Sequence, residues 1–302
     1  MTQAMRVASD FSSGTDRANY KRSALHCTML LTAMLAAATA HATDNSHLIA
    51  LINEYRESPQ TCDGKRTRPV GPLAPDDALA RVQIAPGTQL QSALKKAGYQ
   101  AAQAQAVAVS GPANPNATMT AIKQRYCSML LNPQYTAIGI SRKADTWHVV
   151  IARPLLSSNL GDWQEAGKEI LTLVNQARAQ PRSCGTQKLG AAPPVAWNEK
   201  LAESALVHSR DMANRNYFSH EAKDGSKADG RAKRVGYNWR RIGENIATGQ
   251  GSSKQTMSGW LASPGHCANI MNRNFTEMGA AYAVNPKSDT TIYWTQVFGT
   301  PR

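Results

Sequence analysis

The strongest constraint on this chain is that it repeats itself. Asn53-x-x-Arg56-x-x-Pro59-x-x-Cys62 recurs as Asn175-x-x-Arg178-x-x-Pro181-x-x-Cys184, an offset of 122 residues (53 to 175) that also carries Leu79-Ala80 onto Leu201-Ala202. Gly98-Tyr99 and Gly111 then match Gly236-Tyr237 and Gly249 at 138 (98 to 236). Cys127, Asn132 and Gly139 match Cys267, Asn272 and Gly279 at 140 (127 to 267). Three blocks in one order, with few gaps, read as two copies of one domain. The copies span 43–154 and 163–302, joined by 155–162, a short segment rich in Ser, Asn and Gly. A length of 302 residues suits two domains, each able to bury a core.

The change of offset locates what the first copy lacks. Sixteen residues (138 against 122) are missing between Leu79 and Gly98, where the second copy carries His208 to His220. Ala106 stands against Glu244, and Tyr126 against His266. The first copy keeps the scaffold and loses the polar side chains, so any chemistry is expected in the second.

The first 42 residues read as a signal peptide. Arg6, Arg17, Lys21 and Arg22 precede an apolar run from Met29 to Ala40, closed by the small-x-small site Ala40-His41-Ala42. That run is short of the roughly 20 residues that span a bilayer, so no transmembrane anchor is expected after its removal, and a secreted or periplasmic location is. Cys27 lies before the apolar run and would leave with it.

Four cysteines remain, Cys62, Cys127, Cys184 and Cys267, an even number that suits an oxidising compartment. Of the three possible pairings, Cys62 to Cys127 with Cys184 to Cys267 keeps each crosslink inside one copy. A swap joining like cysteines is equally symmetric but needs the copies in close contact. Setting the leader aside lowers the net charge from +13 to +11 (30 basic against 19 acidic residues). Such a charge favours anionic partners such as a cell-surface or cell-wall component, although the basic residues are scattered and no nucleic-acid motif is present.

In the second copy, Asp162 and nearby acidic residues begin a helix with apolar positions Ile170, Leu171, Leu173, Val174 and Ala177, broken by Ala191-Ala192-Pro193-Pro194. Asn198 caps a second helix that carries Leu201, Ala205, His208 and Met212 on one stripe, which makes His208 a hydrogen-bonded structural histidine rather than a ligand. Asp224-Gly225-Ser226 is a turn, and Thr256 to Leu261 a third helix that stops at the breakers Ser263-Pro264-Gly265. Gly279 to Val284 and Thr291 to Phe298 read as an antiparallel strand pair joined by 285–289. Helices followed by such a pair indicate an α+β layered fold.

Three segments stand out in order: Asn216-Tyr217-Phe218-Ser219-His220, Gly243-Glu244-Asn245-Ile246-Ala247, and Ser263-Pro264-Gly265-His266. Together with Trp197, His208-Ser209, Asp211-Met212-Ala213, Trp260 and Tyr293-Trp294-Thr295-Gln296-Val297-Phe298-Gly299, they resemble the CAP superfamily of cysteine-rich secretory, antigen 5 and pathogenesis-related proteins, and most closely its bacterial secreted branch. The resemblance covers nearly all of 165–300. It implies an α-β-α sandwich, here in tandem with the first copy shortened, and a cleft lined by two His and two Glu. His220 and His266 match the histidines and Glu244 the first glutamate; the second would fall three residues after Trp260, where this chain has Ser263.

Two neutral imidazoles can hold Zn²⁺, and a nearby carboxylate can orient or deprotonate its water. His220 and His266 are the metal ligands expected on that basis, with Glu244 as general base if the protein is a hydrolase. Two protein ligands make a thin site, since catalytic zinc generally has three. A buried His-Glu-His hydrogen-bond network is the other reading of the same residues. Ser263 and His266 do not make a serine hydrolase, because no G-x-S-x-G elbow is present. In the first copy, Arg125-Tyr126-Cys127-Ser128 keeps the cysteine and loses the histidine, which makes Cys267 a staple and His266 the functional group beside it. The function expected is a non-catalytic extracellular or periplasmic binding module for a lipid, glycan or protein, its cleft formed by His220, Glu244, Ser263 and His266. The alternative is a zinc-dependent hydrolase of peptide or cell-wall material.

Overall fold

The computed structural model describes residues 43–85, 87–155 and 161–302. The expected signal peptide, with Cys27, and most of the expected linker lie outside the described residues.

The C-terminal half opens with helix α5 (Trp163–Arg178), whose N-cap Asp162 accepts from the Gln164 amide at 2.6 Å. It buries Ala166, Ile170, Val174 and Ala177 at helical spacing. It ends at Arg178, well before Pro193-Pro194, because a small hairpin intervenes: β7 (Arg182–Cys184) and β8 (Gln187–Leu189). Strand β9 (Ala196–Trp197) leads into α6 (Glu199–Asn214), capped by Asn198, whose side chain accepts from the Lys200 and Leu201 amides. Then come α7 (Ala228–Arg234), β10 (Trp239–Thr248), α8 (Ser253–Leu261), α9 (Pro264–Met271), β11 (Glu277–Val284) and β12 (Ile292–Pro301).

The four strands run in the order β10-β12-β11-β9, with β9 parallel to β11 and the others antiparallel. Alternation along β11 and β12 sorts the two faces. Met278, Ala280, Trp294 and Phe298 join Ile170, Val174, Trp260 and Ile270 in one core, whereas Ala281 and Val297 pack with Leu201 and Ala205 in another. The sheet is therefore sandwiched between α5, α8 and α9 on one side and α6 and α7 on the other, an α+β architecture as expected. Gly279 permits the closest approach: a Cβ there would lie 2.0 Å from the Ala202 nitrogen in α6.

The N-terminal half has a helix, α1, over 43–57, followed by β1 (Thr61–Cys62), β2 (Lys65–Arg66), β3 (Ala74–Pro75), α2 (Asp77–Ala80), α3 (Leu90–Lys96), β4 (Ala101–Ser110), α4 (Pro115–Leu130), β5 (Ala137–Lys143) and β6 (Thr146–Pro154). Its sheet runs β3-β5-β6-β4, again with one parallel pair, β3 and β5. A four-residue α2 stands where the other half has the sixteen-residue α6. Arg56 Nε donates to Gly71 O, while its Nη atoms donate to Leu130, Asn132 and Tyr135 carbonyls. Arg178 makes the corresponding bonds to Pro193, Ile270, Asn272 and Phe275. Burial lowers the Arg56 guanidinium to about 9 and also lowers that of Arg178.

Disulfides join Cys62 to Cys127 and Cys184 to Cys267, the pairing internal to each half. The second ties the β7–β8 hairpin to α9. Ser263-Pro264-Gly265 differs from the sequence reading. Pro264 is not only a stop after α8; it occupies the first turn of α9, where its missing N–H costs nothing, so His266 lies on a helix.

The halves meet through buried polar contacts. Gln250 Nε2 donates to Pro72 O at 2.8 Å, Asn53 Nδ2 to Ala262 O at 3.3 Å and Thr136 Oγ1 to Gly249 O at 3.4 Å. These contacts set the end of α1 against the start of α9.

Candidate functional site

Glu244 is the organising side chain. It sits on β10, is 8% exposed, and uses both carboxylate oxygens. Oε1 accepts from His220 Nδ1 at 2.8 Å, and Oε2 from Arg231 Nη2 at 2.6 Å. Burial is the largest single influence and pushes the Glu244 carboxyl up. The hydrogen bond from His220, the neighbouring histidines and the Arg231 guanidinium outweigh it and hold the carboxyl below its ordinary value.

Arg231, on α7, also donates through Nη1 to the carbonyls of His220 (3.1 Å) and Ser226 (2.7 Å). One guanidinium thus ties the 220–226 loop to Glu244. The sequence reading missed it, because Arg231, Lys233 and Arg234 are one basic run and only the folded helix decides which member turns inward. Removing either partner of a buried pair of this kind costs about 3 to 5 kcal/mol.

His208 lies on the buried face of α6, fully covered, with its Nε2–H donating to Ser219 O at 2.9 Å. Its Nε2 is 3.9 Å from Glu244 Oε1. Burial pushes its pKa down to about 4, against the pull of Glu244, so the ring is neutral near pH 7 and the approach is not an ion pair. His208 is the structural, hydrogen-bonded histidine the sequence led us to expect.

His266 is 8% exposed on α9. Its backbone is fixed to β10: Asn245 Nδ2 donates to His266 O at 3.2 Å and to Gln296 Oε1 at 2.9 Å, and Asn269 Nδ2 donates to Glu244 O at 3.2 Å. Its Nδ1 lies 3.1 Å from Glu57 Oε1 of the N-terminal half, an ion-pair distance off the hydrogen-bond direction. Glu57 was not among the residues singled out from sequence, since nothing before folding relates the end of α1 to α9.

His220, Glu244 and His266 line one cavity of about 1270 Å³, with Arg68, Pro69 and Val70 of the N-terminal half on its wall. Ser263 does not line it. As the N-cap of α9 it is fully buried, with Oγ unpartnered among the described residues. Glu221, next to His220, is exposed and faces Lys227 at 3.9 Å. The ligand atoms of His220, Glu244 and His266 do not all lie within 4.8 Å of one another. The one such trio among the described residues is Cys62, Asp63 and Cys127, whose sulfurs are spent in a disulfide and offer no thiolate.

Among the described residues no helix is long and apolar enough to cross a membrane. Comparison with known proteins bears on the C-terminal half. Residues 171–298 match the model of the cysteine-rich secretory protein family, CAP. The uncharacterized protein YkwD of Bacillus subtilis (strain 168) is 34% identical over 131 residues, 43% of this chain and 46% of the relative. The uncharacterized membrane protein YlbC of the same organism is 34% identical over 112 residues, 37% of this chain and 30% of the relative. The chain thus spans less than half the length of these curated relatives. Among solved structures, an extracellular protein containing an SCP domain from Bacillus anthracis str. Ames is similar at 24% identity and a TM-score of 0.40, over 54% of this chain and 59% of that one. The stretch that matches the cysteine-rich secretory protein family, residues 171–298, carries His220, Glu244 and His266, which line one cavity.

Proposed function

We propose that this is an exported, non-catalytic binding module for a lipid, glycan or protein ligand at the cell surface, with a cleft around His220, Glu244 and His266 that accepts a divalent metal such as Zn²⁺. One observation carries the preference for binding over hydrolysis: Glu244 is engaged on both oxygens, by His220 and Arg231, and is held below the ordinary carboxylate value. A general base near neutral pH needs the opposite, a free oxygen and a raised pKa. What supports a metal is the pair of imidazoles, without Glu244 as a third clustered ligand. The Nε2 atoms of His220 and His266 have no hydrogen-bond partner among the described residues, while each Nδ1 faces a carboxylate, the arrangement that metal-binding imidazoles favour. Bound there, Zn²⁺ would act as a Lewis acid toward a ligand oxygen.

We further propose that 43–154 and 163–302 are two copies of one CAP-like domain, the first degenerate. The matching strand orders, the matching bonds of Arg56 and Arg178 and the paired disulfides support this. The charge of +11 without the leader favours an anionic cell-wall or envelope partner.

The test is direct. Purified mature chain should take up one zinc at micromolar free metal and lose it in His266→Ala without loss of helix content; a wild type free of metal under those conditions removes the metal from the reading. It should show no chelator-sensitive turnover of peptide or cell-wall substrates. Turnover that disappears in Glu244→Gln would replace the binding module with a hydrolase.

A further inference from the structure

The cavity that holds His220, Glu244 and His266 is not built by the C-terminal half alone. Glu57 is the last residue of α1, and its Oε1 lies 3.1 Å from His266 Nδ1 across the junction of the halves. Both atoms are buried, and among the described residues neither has any hydrogen-bond partner. A buried polar atom left bare is costly, and because their 3.1 Å contact lies off the hydrogen-bond direction, a small rotation of either side chain relieves both at once. Their meeting is fixed on both sides. On one side Arg56, the residue before Glu57, is fully buried and bound to four carbonyls. On the other, Asn245 holds the His266 carbonyl, and Gly265 leaves room for the carboxylate, since a Cβ there would sit 3.2 Å from Glu57 Oε2. The matching helix of the C-terminal half has Ala179 at the position of Glu57, so the carboxylate is particular to the first half.

We propose that Glu57 is a positioning residue of the C-terminal site. Its carboxylate keeps the proton of His266 on Nδ1 and presents a bare Nε2 to the cavity, so the N-terminal half completes the site and is not a second, independent binding unit. Where metal is concerned this rests on the proposed metal-binding cleft, but the placement of the His266 proton does not.

The experiment uses the full chain with Glu57→Leu, which keeps bulk at a partly exposed helix end and removes the acceptor, and Glu57→Asp, which restores a carboxylate. In metal-free protein, long-range ¹⁵N–¹H spectra of the His266 ring should report the Nδ1–H tautomer in the wild type, a shift toward Nε2–H in Glu57→Leu, and return toward wild type in Glu57→Asp. Zinc affinity should fall about 10- to 100-fold in Glu57→Leu. An unchanged His266 tautomer in folded Glu57→Leu overturns the proposal. A wild type that binds no zinc sinks the metal reading and leaves this inference to be decided by the ring spectrum.

Discussion

His208 is the residue whose burial has the clearest measurable consequence. An ordinary imidazole titrates near 6.5, and burial in α6 lowers this one to about 4. Between those values the unfolded chain binds the extra proton, so the contribution of neutral His208 is full above pH 6.5 and is lost as pH falls toward 4. The drop corresponds to about 3 kcal/mol. Glu244 has the sign of a carboxylate held low: its contribution is present above its ordinary value near 4.5 and is lost as pH falls through its lower folded value. His208→Gln keeps a donor for Ser219 O and cannot titrate, so urea stability measured from pH 7.5 down to 4 should flatten relative to wild type; parallel curves would refute the assignment. At this scale the sequence was informative where a residue's own stripe decided its burial, as for His208 in the Leu201, Ala205, Met212 row. It was silent on Arg231 and Glu57, whose partners come from elsewhere in the chain.

At the scale of elements, the tightest constraint is the contact of β11 with α6. Ala at 279 would put its Cβ 2.0 Å from the Ala202 nitrogen, and helix backbone cannot swing aside as a side chain can. Gly279→Ala should therefore cost about 3 kcal/mol or more in denaturant unfolding; a loss below about 1 kcal/mol would mean that α6 shifts freely on the sheet. Gly139 meets Leu79 and Ala80 backbone in the same way in the other half. The helix starts at Asp162 and Asn198 were legible because a capping side chain acts on its own first turn. Strand β10 was not. Its sequence, WRRIGENIAT, carries charges at 240, 241 and 244 with no clean alternation, because its second half is buried on both faces while Glu244 is satisfied by side chains from other elements. The Pro264-Gly265 pair was ambiguous for a different reason: proline both ends one helix and begins the next.

Over the whole molecule, the junction of the halves borders the site, since Glu57, Arg68, Pro69 and Val70 line the same cavity as His266. Gly249 has φ +83, and a Cβ there would lie 2.4 Å from Thr136 Cγ2 of the N-terminal half. Gly249→Ala combines a left-handed backbone with a clash at the junction and should cost about 2 kcal/mol or more. Calorimetry should then resolve two unfolding transitions in place of one; a single transition at the wild-type temperature would mean that the junction does not couple the halves. The sequence by itself determined the α+β class and the cysteine pairing favoured by the repeat, because periodicity, caps and repeated motifs are local in the chain, and its resemblance to the CAP superfamily implied His220, Glu244 and His266 as one set. Only the tertiary structure decided that Arg231 occupies Glu244, that Ser263 turns into the core, and that Glu57 of the other half faces His266. Those outcomes depend on which distant backbones are brought together and on the cost of leaving a buried polar atom without a partner, and neither is written in the spacing of residues along the chain.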